Sequence, residues 1–161
     1  MVPVPQTDNL PVYFMGLALA QARQAAADGE VPVGAVLASA TGAVIISGHN
    51  RAEEGSPLRH AEMEVLEGAL SQKDRWSLGA SVLYVTAEPC LMCLGAMVLA
   101  RIGGLVYACA EPRFGGVALL QGLWKDGRYP HRFPISSGLR EEEARNLLQV
   151  FFASRRREGR P

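Results

Sequence analysis

The fold is decided within residues 81–100, which read Ser81-Val-Leu-Tyr-Val-Thr-Ala-Glu-Pro-Cys-Leu-Met-Cys-Leu-Gly-Ala-Met-Val-Leu-Ala100. The first seven positions are rich in β-branched and aromatic residues, which predicts a strand. Residues 89–100 favour a helix that opens on Pro89, because proline is accepted at a first helical position. A strand followed directly by a helix is typical of α/β domains.

The segments on either side of this stretch alternate in the same way. Turn residues at 39–42 predict a hairpin between the first two strands. Strands that alternate with helices indicate one α/β domain with helices on both faces of its sheet. The predicted strands are 33–37, 43–47, 105–109 and 133–135, and the predicted helices are 12–28, 60–70, 117–124 and 140–157.

Composition is that of an ordinary soluble globular domain. The chain has 161 residues, 48% of them hydrophobic and 20% charged, with sixteen basic residues balancing sixteen acidic ones. No apolar run approaches the length of a membrane span, and the N-terminus lacks the pattern of a signal peptide. Three cysteines argue against a disulfide scaffold and for a cytoplasmic location. We expect a flexible lead-in at 1–11, a single domain at 12–157 and a flexible tail at 158–161.

The residues that carry chemistry are His60-Ala-Glu62 and, further along, Pro89-Cys-Leu-Met-Cys93. Cys90 and Cys93 are three apart, so a helix places both on one face. The dipole at the start of that helix favours thiolates. His60 adds an imidazole. One nitrogen and two sulfurs suit one Zn²⁺ per chain, and a set of three leaves the fourth tetrahedral position open, which marks a catalytic site.

Glu62 is the predicted proton carrier. A zinc-bound water supplies hydroxide near neutral pH, and its proton has to reach the departing ammonia. Glu62 lies two residues from His60 and is not required as a ligand, so it is free to move that proton. The H-x-E…P-C-x-x-C pattern is the signature of zinc deaminases that act on cytosine or adenine.

The same residues are also compatible with other kinds of site. A Cys-x-x-Cys pair also occurs in redox motifs and in structural zinc sites, but a structural site requires a fourth ligand. Cys109 falls inside a predicted strand, where a buried thiol is expected. His49 and His131 are expected at the surface or in hydrogen bonds. An inactive nucleic-acid-binding module or a regulatory subunit would not need both the ligands and Glu62.

Beyond these motifs the sequence resembles the bacterial tRNA adenosine deaminase family, within the zinc-dependent cytidine and deoxycytidylate deaminase superfamily. The resemblance runs from about residue 12 to about residue 157, and the tail 131–156 contributes to it. The blocks that carry it are Glu30-Val-Pro-Val-Gly-Ala-Val36, Gly48-His-Asn-Arg51, His60-Ala-Glu62, Leu83-Tyr-Val-Thr86, Glu88-Pro-Cys-Leu-Met-Cys93, Gly95-Ala-Met97 and Ala100-Arg-Ile102.

The resemblance implies a three-layer α/β/α fold with a five-stranded mixed sheet, and a homodimer. It also implies hydrolysis of adenosine to inosine at the wobble position of a tRNA anticodon loop. By position, Asn50 would hydrogen-bond the nucleoside, Val33 and Pro89 would line the base pocket, and the Ala61 backbone would contact the base edge. An amide offers both a donor and an acceptor, but Asn50 is equally interpretable as a turn residue.

Two segments depart from the family pattern where the family grips its substrate. They are Ser56-Pro-Leu-Arg59 and Glu111-Pro-Arg-Phe-Gly-Gly-Val-Ala-Leu-Leu120. These departures keep a second hypothesis open, a deaminase of a free nucleobase, nucleoside or nucleotide of the guanine or cytosine type. RNA contact is a further hypothesis, resting on arginines and aromatics that are equally interpretable as a solvated helix end and core residues: Arg113, Phe114, Trp124, Lys125, Arg128, Tyr129, Arg132, Arg155, Arg156, Arg157 and Arg160.

Overall fold

The structure, a computed structural model, describes residues 9–72 and 78–159. Most of the predicted lead-in, residues 1–8, and the end of the predicted tail, with Arg160, lie outside the described residues. Within the described part of the chain no helix is both long enough and apolar enough to cross a bilayer.

Five strands and five α-helices follow one another along the described chain. Their order is α1 (Leu10–Ala27), β1 (Gly34–Ser39), β2 (Val44–His49), α2 (Ala61–Ser71), β3 (Ser81–Ala87), α3 (Leu91–Ala100), β4 (Gly104–Cys109), α4 (Val117–Lys125), β5 (Ile135–Ser137) and α5 (Glu141–Arg157), with a 3-10 turn at Ala52–Glu54 before α2.

The described strands form one mixed sheet in the order β2-β1-β3-β4-β5. β1 pairs antiparallel with both β2 and β3, which confirms the predicted hairpin. β3, β4 and β5 run parallel, and Val85 of β3 pairs with Tyr107 of β4. Because β3 and β4 are parallel, their carboxyl ends share one edge of the sheet. The loops that follow Ala87 and Cys109 therefore meet there, as ligand-binding loops do in open α/β sheets.

Helices cover both faces of the sheet, which confirms the three-layer α/β/α prediction. On one face α2, α3 and α4 bury a core that includes Leu66, Leu83 and Met97. On the other face α1 and α5 bury a second core around Phe14 and Tyr84. Both cores are apolar, so burial of their side chains provides the main driving force for folding.

Several element boundaries differ from the prediction by a few residues. α1 begins at Leu10, with Pro11 in its first turn, where the missing amide costs nothing. α3 begins at Leu91 rather than at Pro89, because Cys90 is extended (φ −75°, ψ 170°) and forms a bridge with Gly115. β5 begins after Pro134 rather than at residue 133, since proline has no amide hydrogen to give to a strand ladder.

Candidate active site

Two helix N-termini meet where β3 ends. His60 is the residue that caps α2, and Cys90 caps α3, with Cys93 in the first turn of that helix. The His60 Nδ1 lies 3.6 Å from the Cys90 Sγ and 3.5 Å from the Cys93 Sγ, and the two sulfurs are 3.7 Å apart. The fold therefore brings together the three side chains that the sequence predicted as ligands.

These separations fit a tetrahedral zinc ion. With Zn–S bonds of about 2.3 Å and a Zn–N bond of about 2.0–2.1 Å, tetrahedral angles place sulfur about 3.8 Å from sulfur and about 3.6 Å from nitrogen. Among the described residues, no further His, Cys, Asp or Glu joins this group as a fourth donor. The donor set is thus the kind that leaves one coordination position for a small molecule.

The electrostatics of the cluster favour an anionic sulfur. The hydrogen bond between Cys90 and Cys93, together with His60, lowers the pKa of the Cys90 thiol to about 3. The hydrogen bond between His60 and Cys90 raises the pKa of the His60 imidazole. Burial raises the pKa of the Glu62 carboxyl to about 7, and that side chain is only 4% exposed. A buried carboxyl of this kind can both accept and donate a proton near neutral pH.

A cavity of about 670 Å³ opens in front of the cluster. It is walled by the end of β3, the loop after β2, the loop after β4 and one face of α5. The lining residues are Val31, Val33, Asn50, Ala52, Glu53, Pro57, His60, Glu62, Ala87, Glu88, Cys90, Met92, Glu111, Arg113, Phe114, Leu148 and Phe152.

The residues predicted to bind the base separate into two groups. Val33 and Asn50 line the cavity, and the Asn50 amide N–H donates to the Val33 carbonyl at 3.0 Å. The Asn50 side chain is buried and forms no hydrogen bond with any other described residue, so its amide group is available to a ligand. Ala61 and Pro89 are buried next to His60 and Cys90 and do not line the cavity.

Two carboxylates that the sequence analysis missed hold the loops around the cavity. Glu30 is 2% exposed, and its carboxylate accepts the amide N–H groups of Glu53 and Glu54 at 3.0–3.1 Å. Glu88 accepts the amide N–H groups of Glu111 and Val117 at 3.2 and 3.1 Å. The only sequence signal for either role was an acidic residue beside an apolar strand, which is too common to be specific.

Two arginines that the sequence left undecided have intramolecular partners. Arg59 forms a two-pronged ion pair with Glu64, at 2.9 and 3.1 Å, across the first turn of α2. Arg155 donates to Glu53 and to the Gly29 carbonyl, each at 3.0 Å, and its side chain is only 17% exposed. Both arginines therefore make ion pairs within the protein close to the cavity, since His60 follows Arg59 and the Arg155 partner Glu53 lines the cavity.

The spare thiol, the spare imidazoles and one aromatic also occupy structural positions. Cys109 is buried and donates to the Thr86 carbonyl, as expected of a core thiol. His131 hydrogen-bonds the Ile102 carbonyl at 2.8 Å, and His49 contacts Gln21 and Asp28. Trp124 is buried edge-on against Phe133, so the structure excludes it as a stacking surface for RNA.

Comparisons with known proteins agree with this geometry. The family model described as the cytidine and deoxycytidylate deaminase zinc-binding region matches residues 9–109. The tRNA-specific adenosine deaminase of Streptococcus pyogenes serotype M1 is 38% identical over 158 residues, which are 98% of this chain and 90% of the relative.

Two solved structures resemble this chain to different extents. One comes from biochemical and structural studies of A-to-I editing by tRNA:A34 deaminases at the wobble position of transfer RNA. It is 38% identical, covers 84% of this chain and 99% of its own, and superposes with a TM-score of 0.78. The guanine deaminase of Bacillus subtilis is 30% identical, covers 68% and 73% of the two chains, and has a TM-score of 0.58.

Proposed function

This chain belongs to the zinc-binding cytidine and deoxycytidylate deaminase family, and from that premise we propose that it hydrolyses adenosine to inosine in a tRNA anticodon loop, with release of ammonia. The observation that carries the proposal is the tetrahedral spacing of three zinc donors facing a cavity that also contains a buried carboxyl. His60 would hold one Zn²⁺ through Nδ1, and Cys90 and Cys93 through their sulfurs.

The chain's own residues would then act as follows. Zinc, when bound, supplies the activation of water that hydrolysis requires. Glu62 accepts a proton from the attacking water and delivers it to the N1 atom of adenine. It then takes the proton of the hydroxyl group newly formed on C6 and gives it to the departing amine, so that a carbonyl forms at C6 as the C6–N bond breaks and ammonia leaves. The Asn50 amide hydrogen-bonds the nucleoside and Val33 packs against the base, while the Ala61 backbone contacts the base edge.

Some side chains that line the cavity have no partner within the described protein, and their chemistry favours an RNA substrate over a free base. The Glu88 oxygens are taken by backbone amides, Glu53 is paired with Arg155, and Glu111 accepts the Arg113 amide N–H at 3.0 Å. In the described chain the Arg113 side chain has no partner, and Phe114 is 71% exposed. A free cation and an exposed ring at the mouth suit a phosphate and a neighbouring unstacked base.

A homodimer is part of the proposal. An apolar groove lies on the outer surface of α2 and α3, and Leu99 on its rim is 80% exposed. Its lining residues are Met63, Leu66, Glu67, Leu70, Ala96, Leu99 and Ala100. A second copy of the chain would cover this surface, because exposed apolar patches commonly mark association sites. A cytoplasmic location fits a tRNA substrate and three cysteines that form no disulfide.

The decisive experiment compares substrates for the zinc-loaded protein. We expect ammonia release and inosine formation from an anticodon stem-loop with adenosine at the wobble position. The matched control is the same stem-loop with that adenosine moved into the stem, where the base cannot be flipped cheaply. Free adenosine, cytidine, cytosine and guanine form the other arms. Turnover confined to guanine or another small molecule would overturn the tRNA proposal and select the free-base alternative.

A further inference from the structure

The loop that follows β4 forms one wall of the cavity and is held at both ends by a single side chain. The Glu88 Oε2 accepts the amide N–H of Glu111 at 3.2 Å, where the loop begins. Its Oε1 accepts the amide N–H of Val117 at 3.1 Å, where α4 begins. The carboxylate therefore bridges the two ends of residues 111–117, which we name the wall loop.

The wall loop also lies directly against the strand-to-helix segment that carries Cys90. The Gly116 amide donates to the Pro89 carbonyl at 3.0 Å, and Gly115 pairs with Cys90 in an isolated bridge. A Cβ on Gly115 would lie 2.4 Å from the Glu88 carboxyl carbon and 2.5 Å from the Glu111 carbonyl oxygen. Only glycine allows the loop to pack this closely on the segment beside the proposed ligand.

The side chains at the tip of the wall loop point to its use. Arg113 and Phe114 line the cavity and are exposed, and Glu111 forms part of the same wall. This is also the stretch where the sequence departs from the pattern of the family that it resembles. Contacts that fix the ends of this loop therefore also restrict where the arginine and the exposed ring lie.

We propose that Glu88 is a positioning residue, whose carboxylate fixes both ends of the wall loop and so sets how the cavity receives its substrate. Both carboxylate oxygens are engaged by backbone amides, which leaves Glu88 to act through the loop rather than on the reacting atoms. A carboxylate is required because it accepts at two oxygens, whereas glutamine accepts at one and turns its NH₂ group toward the second amide. An amide N–H left unpaired in this way is costly.

Amide hydrogen exchange tests the positioning role without any substrate. In zinc-loaded Glu88→Gln, we expect at least one of the two amides, that of residue 111 or that of residue 117, to exchange about 10- to 100-fold faster, which corresponds to the loss of a hydrogen bond to a charged acceptor. Glu111→Gln is the matched control, since it removes the same charge from the same wall while its side-chain oxygen can still accept the Arg113 amide. The amides of β4 report on the fold. Unchanged exchange at 111 and 117 in Glu88→Gln would overturn the proposal.

Glu88→Asp separates positioning from a general loss of structure. Aspartate keeps two oxygens on a shorter side chain, so we expect an acceleration smaller than that of Glu88→Gln and restricted to the wall loop. If both variants lose protection throughout β4, Glu88 is simply a structural residue and the proposal is wrong. The same conclusion holds if neither variant folds.

The kinetic arm rests on the proposed function. For the anticodon stem-loop we expect Glu88→Gln to raise KM by about ten-fold and to change kcat by less than about three-fold, the signature of lost ground-state and transition-state binding alike. A fall in kcat at unchanged KM would assign Glu88 a chemical role and overturn the proposal. If the wild-type protein deaminates guanine instead of RNA, the same KM shift is expected with guanine. The tRNA proposal can thus fail while the positioning role stands.

Discussion

Arg155 provides a sharp test of which C-terminal arginines stabilise the fold and which contact RNA. Its guanidinium lies 4.8 Å from the Phe151 ring centroid and donates to the Gly29 carbonyl and to Glu53, each at 3.0 Å. These contacts fasten the end of α5 to the loops around the cavity. Arg156, the next residue, is exposed to solvent.

The expected cost of Arg155→Ala follows from these contacts. The charged hydrogen bond to the Gly29 carbonyl contributes roughly 1.5–3 kcal/mol. The ring contact adds about 0.5–1 kcal/mol. Because Glu53 is 55% exposed, its ion pair adds only about 0–1 kcal/mol. Ordering the long side chain costs about 1.5–2 kcal/mol. The free energy of unfolding should therefore fall by about 2 kcal/mol, which lowers Tm by about 4–8 °C in a chain of this size.

The assay pairs thermal unfolding with RNA binding measured at several salt concentrations. We expect Arg155→Ala to lower Tm and to leave the salt dependence of RNA binding unchanged. Arg156→Ala should cost less than about 1 kcal/mol of stability, the scale of a helix-end charge. If Arg156 contacts a phosphate, its removal should reduce the salt slope by about 0.7. The reasoning is refuted if Arg155→Ala reduces the salt slope while its Tm stays within about 1 °C of the wild type.

Three further predictions concern the site and the proposed dimer. Glu62→Gln should lower kcat by about 10²- to 10⁴-fold while metal analysis still finds about one zinc per chain; near-normal turnover would remove Glu62 from the mechanism. Phe114→Ala should weaken RNA binding by about 1–3 kcal/mol without lowering Tm, since the ring is 71% exposed, and Phe114→Tyr should restore affinity. Leu99→Glu should shift the protein from dimer to monomer in sedimentation; a persistent dimer would place the interface elsewhere.

Most of the fold could be predicted from the sequence because it is encoded in local patterns. The strand at Ser81–Ala87 was predicted at its observed bounds, and α4 and α5 within one residue of theirs. The grouping of His60, Cys90 and Cys93 was also predictable. A histidine and two cysteines at this spacing indicate a zinc site more specifically than any one of the three residues does alone.

Other features could not be predicted because their partners are distant in the chain. No residue near Pro89 in the sequence indicates that Cys90 pairs with Gly115, or that α3 consequently begins at Leu91. The same holds for Arg155, which looked like a solvated helix end and instead donates to the Gly29 carbonyl. Backbone carbonyls and amides are present at every residue, so the sequence carries no signal for which of them a side chain will meet.

The sequence by itself determined the chemistry of this protein, since the side chains that can hold zinc and move a proton are a matter of residue type and spacing. Only the tertiary structure decided the shape of the cavity around them. Glu30 and Glu88 fix its loops by accepting amides that the sheet and helices bring within 3.2 Å, and the packing of elements far apart in the chain creates that proximity. The physical reason is that reactivity belongs to individual groups, whereas a binding surface depends on where the whole chain places them.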